Sequence, residues 1–119
     1  MTKTRLVILE SPLAAKSGAG VKRNVEYARA CMRDSLLKGE APFSSHLLYA
    51  QPGILDDLDA AERKLGIEAG LLWGCAAEAT VCYVDNGVSP GMREGIARAE
   101  AEGRPVEYRT LPVGKVGEE

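Results

Sequence analysis

The sequence predicts an α/β fold, a three-layer sandwich in which helices cover both faces of a mostly parallel sheet of four or five strands. Short β-branched runs alternate with longer helical patterns along the 119 residues, and this alternation is typical of parallel strands joined by right-handed crossovers. Residues 5–9 (RLVIL) are almost continuously apolar, as expected of a strand buried on both faces. The length suits one domain with a single core, so we assign 1–112 to it and 113–119 to a flexible tail.

The first half of the chain continues with a helix and a second strand. A loop of small residues covers 14–20. Apolar residues then recur at helical spacing from Val21 to Leu36, with Gly39 as the expected C-cap. Residues 41–49 (APFSSHLLY) predict a weaker strand that runs into a loop.

The second predicted helix carries a stripe of glycines. Asp56 or Asp57 is its expected N-cap, and the pattern reaches Ala76. The stripe consists of three glycines spaced four residues apart, Gly66, Gly70 and Gly74. Because each glycine costs roughly 1 kcal/mol of helix stability relative to alanine, we expect the stripe to allow close packing against another backbone.

The second half of the chain repeats the alternation. Residues 79–84 (ATVCYV) predict the clearest strand, and 85–91 (DNGVSPG) form a loop rich in turn residues. Ser89 as N-cap and Pro90 in the first turn start a third helix, which Gly103 ends. Residues 105–109 predict the last strand.

Composition excludes several classes of function. The net charge is −2, so the chain lacks the basic surface with which nucleic-acid-binding proteins neutralise phosphates. No apolar run approaches the roughly 20 residues of a membrane span. The cysteines, at 31, 75 and 82, have no CxxC spacing, and there is one histidine, which argues against a structural metal site. We therefore expect a reduced cytoplasmic protein without a metal, cofactor, nucleic-acid partner or membrane partner.

Polar residues are predicted to gather at one edge of the sheet. Ligands of parallel α/β sheets bind beyond the carboxyl ends of the strands, where the polar loops 10–12, 44–46 and 85–91 lie. Glu10 is a carboxylate at the end of a buried strand, an unusual position for a charged residue. Glu10 could accept hydrogen bonds from sugar hydroxyls or act as an acid or base. It could equally be a structural partner of Arg23 or Asn24.

The loop before the third helix is a candidate anion site. Backbone N–H groups of Ser89, Gly91 and Met92 lie at the predicted helix N-terminus, which favours a phosphate or carboxylate. Arg93 would add a charged donor. A capped helix with a solvated loop explains the same residues. The loop 17–20 lacks the dinucleotide and Walker patterns.

The remaining candidates are spread along the chain. Glu68 lies between small residues of the second helix, as either an exposed residue or a site carboxylate. His46 has no nucleophile elbow or partner carboxylate that would indicate a serine hydrolase. The ring of Tyr27 could stack on a base. The candidate ligand-binding residues are Glu10, Ser11, Pro12, Asn24, Tyr27, Ser45, His46, Glu68, Asp85, Ser89, Gly91, Met92 and Arg93.

Several short motifs together resemble the nucleoside 2-deoxyribosyltransferase-like superfamily. Residues 10–12 (ESP) resemble its first-strand loop, and 68–73 with 77–81 resemble its acidic helix and following strand. Residues 89–92 (SPGM), 97–99 and 103–106 (GRPV) resemble its last segment. The motifs resemble those of uncharacterised, largely phage-encoded relatives more than those of the superfamily's enzymes. The resemblance implies a flavodoxin- or Rossmann-like fold, homo-oligomers and, for a phage protein, the host cytoplasm.

The resemblance also implies chemistry at the N-glycosidic bond of nucleosides or nucleotides. Active members use a glutamate nucleophile two residues after the loop glycine, a position that is Arg93 here, with Glu94 one place later. The candidate catalytic residues are therefore Glu94 and Glu10, with Asp85 and Glu68 holding the sugar.

Three functions stay open. The first is a binder of a nucleotide or nucleotide-derived molecule that sequesters a signalling nucleotide. The second is an N-glycosidase or deoxyribosyltransferase acting on deoxynucleoside monophosphates. The third is an interaction protein that retains only the fold.

Overall fold

The computed structural model describes residues 4–112, which form a four-stranded, all-parallel sheet flanked by helices. The strands are β1 (Arg5–Glu10), β2 (Glu40–Phe43), β3 (Ala79–Tyr83) and β4 (Val106–Arg109). The helices are α1 (Gly18–Leu37), α2 (Ser45–Leu48), α3 (Ala60–Trp73) and α4 (Pro90–Ala101), and a 3-10 turn (Gly74–Ala76) follows α3. The predicted fold class is confirmed. The predicted tail, 113–119, lies outside the described residues.

The strand order β2-β1-β3-β4 creates a crevice at the end of the central strand. The chain leaves β1 toward β2 and then crosses back to β3, so the order reverses between β1 and β3. Glu10, the last residue of β1, pairs with Cys82, and Ile8 pairs with Phe43 on the other side. Such a switch point is where doubly wound sheets bind their ligands.

The two faces of the sheet have different neighbours. Val7, Leu9, Val81 and Tyr83 point to one face and pack with Cys31 of α1 in the main hydrophobic core. Alternate residues of a strand point to opposite faces, so Ile8 and Glu10 face the other way. That second face is covered by α3 and α4 and carries the cavity described below.

A charged cluster lies on the α1 side of the sheet. The carboxylate of Glu40, whose side chain is 6% exposed, accepts hydrogen bonds from Arg5, from both terminal nitrogens of Arg109, and from Ser35. Glu107 pairs with both arginines. These contacts hold the pKa of Glu40 down at about 2, with the Arg109 hydrogen bond as the largest cause. The cluster therefore links β1, β2 and β4.

Four predicted element boundaries are wrong. The second strand ends at Phe43, because residues 45–48 turn into α2, where the Tyr49 N–H donates to the Ser45 carbonyl. The first helix begins earlier, at Gly18, where the Ser17 side chain caps it. The N-cap of α3 is Asp59, which accepts a hydrogen bond from the Glu62 N–H, and α3 ends at Trp73.

The other boundary signals are confirmed. Gly39 and Gly103 have positive φ angles of 85° and 72° after α1 and α4, which glycine adopts without strain. Ser89 and Pro90 start α4. In the described range no helix is long and apolar enough to cross a membrane. No three histidine, cysteine or acidic side chains of that range gather as a metal site.

Candidate active site

A cavity of about 170 Å³ lies at the carboxyl end of β1, between α3 and α4. Its sheet side is formed by Ile8, Glu10 and Phe43, and its helix sides by residues of α3 and α4. An apolar cavity of about 150 Å³ holds one benzene ring. The cavity is therefore large enough for one ring-sized group.

Glycines form much of the helix walls. Gly66 and Gly70 of α3 and Gly74 of the 3-10 turn face the cavity, as do Gly91 and Gly95 of α4. A Cβ on Gly70 would come within 2.8 Å of the Ser45 Cβ. The predicted glycine stripe thus packs inside the chain, but its neighbours are side chains of Ser45, Leu55 and Arg104, so the predicted contact with another backbone is wrong.

Glu10 is a largely buried carboxyl group in the cavity wall. It lies directly against Gly95, where any Cβ would overlap the carboxyl oxygens. No hydrogen-bond partner of this carboxyl is present among residues 4–112. Burial raises its pKa to about 8, opposed by the charge of Arg104 and reinforced by that of Glu94. Glu10 is therefore protonated at neutral pH and able to donate a proton.

Glu94 supplies a second carboxylate to the same cavity. It lies on α4 one residue before Gly95, and its side chain is exposed to water. Arg93 is also exposed but does not line the cavity. One residue turns a helix by about 100°, and this rotation brings Glu94, and not Arg93, to the cavity.

Arg104 is a buried cation in the cavity wall, with a side chain only 7% exposed. Its Nε donates to Thr80 Oγ1 at 3.0 Å, and its Nη1 donates to the Gly74 carbonyl at 2.9 Å and to Glu102 at 2.6 Å. Its Nη2 has no hydrogen-bond acceptor among the described residues. The guanidinium is thus fixed in place while one of its donor groups stays unused.

His46 connects the ends of β1 and β2 beside the cavity. Its Nε2 lies 2.6 Å from the Ser11 carbonyl oxygen, so this nitrogen carries the proton and donates it. Burial lowers the pKa of the ring, which is therefore neutral at pH 7. Five of the predicted ligand-binding residues line the cavity: Glu10, Ser45, His46, Ser89 and Gly91.

The predicted anion site at the start of α4 lacks most of its donors. The Ser89 hydroxyl accepts the Met92 N–H at 3.2 Å, and the Ser89 N–H points to the Met92 sulfur at 3.4 Å. Of the three predicted backbone donors, Ser89, Gly91 and Met92, only the Gly91 N–H stays unpaired among the described residues. Because Met92 is also 1% exposed, neither it nor Arg93 is placed to read an anion in the cavity.

Five other candidates lie outside the cavity. Tyr27 is 3% exposed and donates its hydroxyl proton to Asp85. Asp85 is exposed and also accepts the Leu111 N–H, so it holds these two buried residues in place. A base cannot stack on that buried ring. Asn24 donates to the Leu13 carbonyl and holds the loop after β1. Glu68 points to solvent on α3, and Pro12 is buried.

Arg104 and Gly95 are site residues that the sequence analysis missed. Both belong to segments quoted for other reasons, the last helix and the GRPV motif, and nothing in their spacing marks them. They reach the cavity because α4 packs across the end of β1. Ser11 also lies apart from the cavity, with a buried hydroxyl that has no partner among residues 4–112.

The model of a domain of unknown function, DUF7768, matches residues 5–109. The chain belongs to the DUF7768 family. No curated protein sequence matches it.

A solved structure shares the fold of this DUF7768 chain. It is a 2-deoxyribosyltransferase from the psychrotolerant bacterium Bacillus psychrosaccharolyticus, with a TM-score of 0.61 and 20% sequence identity. The superposition covers 88% of this chain and 72% of that one. At this identity the similarity shows the fold, which is the Rossmann-like fold that the motifs imply. Similarity to phage-encoded relatives stays a prediction.

Proposed function

We propose that this protein binds a nucleoside or nucleotide with its base in the cavity and cleaves or exchanges its N-glycosidic bond. The observation that carries the proposal is the pair of carboxyl groups in contrasting surroundings. Glu10 is largely buried and its pKa is raised to about 8, whereas Glu94 lines the same cavity and is exposed to water. Pairs of carboxyl groups with such divided acid and nucleophile roles cleave glycosidic bonds.

The two groups divide the chemistry as follows. The Glu94 carboxylate attacks C1′ and forms a glycosyl ester, while the C1′–N bond breaks and its electron pair leaves with the base. Glu10 gives its proton to the departing base. Water or the nitrogen of a second base then attacks C1′, releases Glu94 and returns a proton to Glu10. Water as acceptor gives hydrolysis, and a base gives exchange.

Two further observations support this proposal over the others. The Bacillus psychrosaccharolyticus protein with this fold is named a 2-deoxyribosyltransferase. Sequestration of a phosphorylated nucleotide relied on the donors at the start of α4, most of which are paired within the chain. A protein that keeps only the fold has no need of a cavity with a buried, unpaired carboxyl group.

Product analysis tests the proposal directly. We expect the purified protein to release free base from at least one 2′-deoxynucleoside or its 5′-monophosphate, measured by liquid chromatography. The exposed Glu100 of α4 offers a matched control, because Glu100→Gln changes a carboxylate of the same helix away from the cavity and should keep the rate. Binding of a nucleotide without base release or exchange from any substrate would contradict the enzyme and favour the binder.

We also propose that the chain forms a symmetric homodimer. The outward face of α3 exposes apolar side chains, with Leu65 58%, Leu72 65% and Trp73 50% exposed, and such a patch is typical of an interface. Light scattering should give about twice the chain mass of 12.7 kDa. Leu72→Glu should yield a monomer, and a wild-type value near 12.7 kDa would contradict the dimer.

A further inference from the structure

A row of positive charges lies on the outer face of α1. Lys22, Arg29 and Arg33 follow one another at spacings of seven and four residues, which places them on one side of a helix. Arg23 lies beside this row, and all four side chains are exposed. None of the four forms an ion pair within the described chain. Because Glu26 is the one carboxylate between Lys22 and Arg33 in the sequence, the row has a net positive charge.

The contacts within the fold do not account for this row. Elsewhere in the fold Arg5, Arg98 and Arg109 each pair with a carboxylate. Arg29 and Arg33, in contrast, are four residues apart on one helix, and like charges at that spacing destabilise a helix. The net charge of the whole chain is −2, so the residues outside the row carry a net negative charge. A compact positive face on such a protein attracts and orients a partner of opposite charge.

Two exposed leucines end the row. Leu36 and Leu37, in the last turn of α1, are 58% and 70% exposed. They follow Arg33 by three and four residues and therefore adjoin it on the helix surface. At 1.5 Å per residue, Lys22 and Leu37 are about 22 Å apart along the helix. The face is thus one helix wide, with cations along most of its length and apolar side chains at one end.

We propose that this face of α1 docks an acidic amphipathic helix of a partner protein. Carboxylates at helical spacing on the partner pair with the exposed guanidinium and ammonium groups. Apolar side chains at one end of the partner cover the two leucines, which fixes its direction. The narrow shape suits a helix better than the plane of a lipid surface, and the net negative charge of the other residues opposes a long polyanion such as a nucleic acid. The docking residues are Lys22, Arg23, Arg29, Arg33, Leu36 and Leu37.

A partner docked on α1 leaves the cavity free. Tyr27 and Cys31, on the inner side of α1, pack with Val7 and Leu9 on one face of the sheet. The cavity lies on the other face of the sheet, between α3 and α4. The docking face is therefore independent of the proposed function, and the experiments below need no substrate.

Fluorescence anisotropy of the unmodified protein with a designed peptide tests the inference. The labelled probe is a helix-forming peptide with glutamates three and four residues apart on one face and leucines at one end. A second peptide of the same composition has its glutamates spread around the helix, and we expect it to bind at least about tenfold more weakly. Added NaCl should weaken binding of the first peptide, because salt screens exposed charges.

Four outcomes would overturn the inference. They are equal binding of the two peptides, binding that salt does not change, no binding at millimolar peptide, and tighter binding of a single-stranded oligonucleotide or of phosphatidylserine vesicles than of the first peptide.

A pair of charge-reversed proteins checks that α1 is the surface responsible. Arg29→Glu combined with Arg33→Glu should weaken binding of the first peptide at least about tenfold, because one exposed ion pair contributes up to about fivefold and reversal adds repulsion. Lys64→Glu combined with Arg93→Glu changes the net charge equally at exposed positions of α3 and α4, and should bind as the wild type does. Leu37→Ser should weaken binding without changing its salt dependence. An equal loss in the two charge-reversed proteins would show that net charge, and not the α1 face, determines binding.

Discussion

Replacing Glu10 by Gln is expected to lower the rate of base release by about 10²–10⁴-fold, the usual contribution of a general acid. Glutamine fills the same space beside Gly95 but has no proton to give to the departing base. Glu94→Gln should lose at least as much, because the carboxylate that attacks C1′ is gone. Glu100→Gln is the control for both. A Glu10→Gln protein with an unchanged rate would remove Glu10 from the mechanism.

The stability of Glu10→Gln should change in the opposite direction to its activity. An unfolded glutamate ionises near 4.5, whereas folded Glu10 does so at about 8. Between these values the folded state holds one proton more than the unfolded state, so Glu10 makes the protein less stable as pH rises. Glutamine has no such titration, and Glu10→Gln should unfold at a higher urea concentration at pH 8 than the wild type. A lower midpoint would indicate a structural role for Glu10.

The pH dependence of the wild-type rate follows from the same group. The acid form of Glu10 is complete well below pH 8 and is lost as pH rises past this value. The rate should therefore fall tenfold per pH unit above about 8.

Gly95→Ala is also expected to abolish activity, because the added methyl group would displace the Glu10 carboxyl group. Gly18→Ala is the control, since open space surrounds Gly18 and the rate should be unchanged.

Removing the carboxylate of Glu40 is expected to destabilise the fold by about 3–5 kcal/mol, the cost of breaking a buried ion pair on one side. Glu40→Gln leaves the Arg109 guanidinium, 14% exposed, without its closest counter-charge. The free energy of unfolding from urea titration measures the loss. Glu26→Gln, an exposed change on α1, is the control and should stay within about 0.5 kcal/mol of the wild type.

Acid should unfold the protein through the same group. The pKa of Glu40 is about 2 in the folded state, below its ordinary value of 4.5. Its contribution is therefore complete above pH 4.5 and is lost as pH falls from 4.5 toward 2. The wild type should lose stability steeply in that window, and Glu40→Gln should lose less there. Parallel pH curves for the two proteins would show that the cluster does not hold the sheet together.

Local patterns in the sequence were sufficient for most of the fold. The apolar run of β1 and the β-branched run of β3 are recognisable because parallel strands are buried on both faces. Ser89 and Pro90 mark the start of α4 by capping chemistry that acts within three residues. Glu10 is recognisable as a candidate from local sequence too, because a carboxylate at the end of a buried strand is unusual in any fold.

Sequence alone determined the α/β class and predicted a site at the carboxyl ends of the strands, with Glu10 and, through the family resemblance, Glu94 as candidate carboxylates. The tertiary structure decided which side chains meet there. Glu10 and Gly95 are far apart in sequence, and Arg104 follows a helix whose packing alone brings it to the cavity. The tertiary structure also buried Tyr27 in the core, with its hydroxyl on Asp85, and paired the donors of Ser89 and Met92. Spacing along a chain reports periodicity within one element, whereas burial, pKa and unpaired hydrogen-bonding groups arise from contacts between elements.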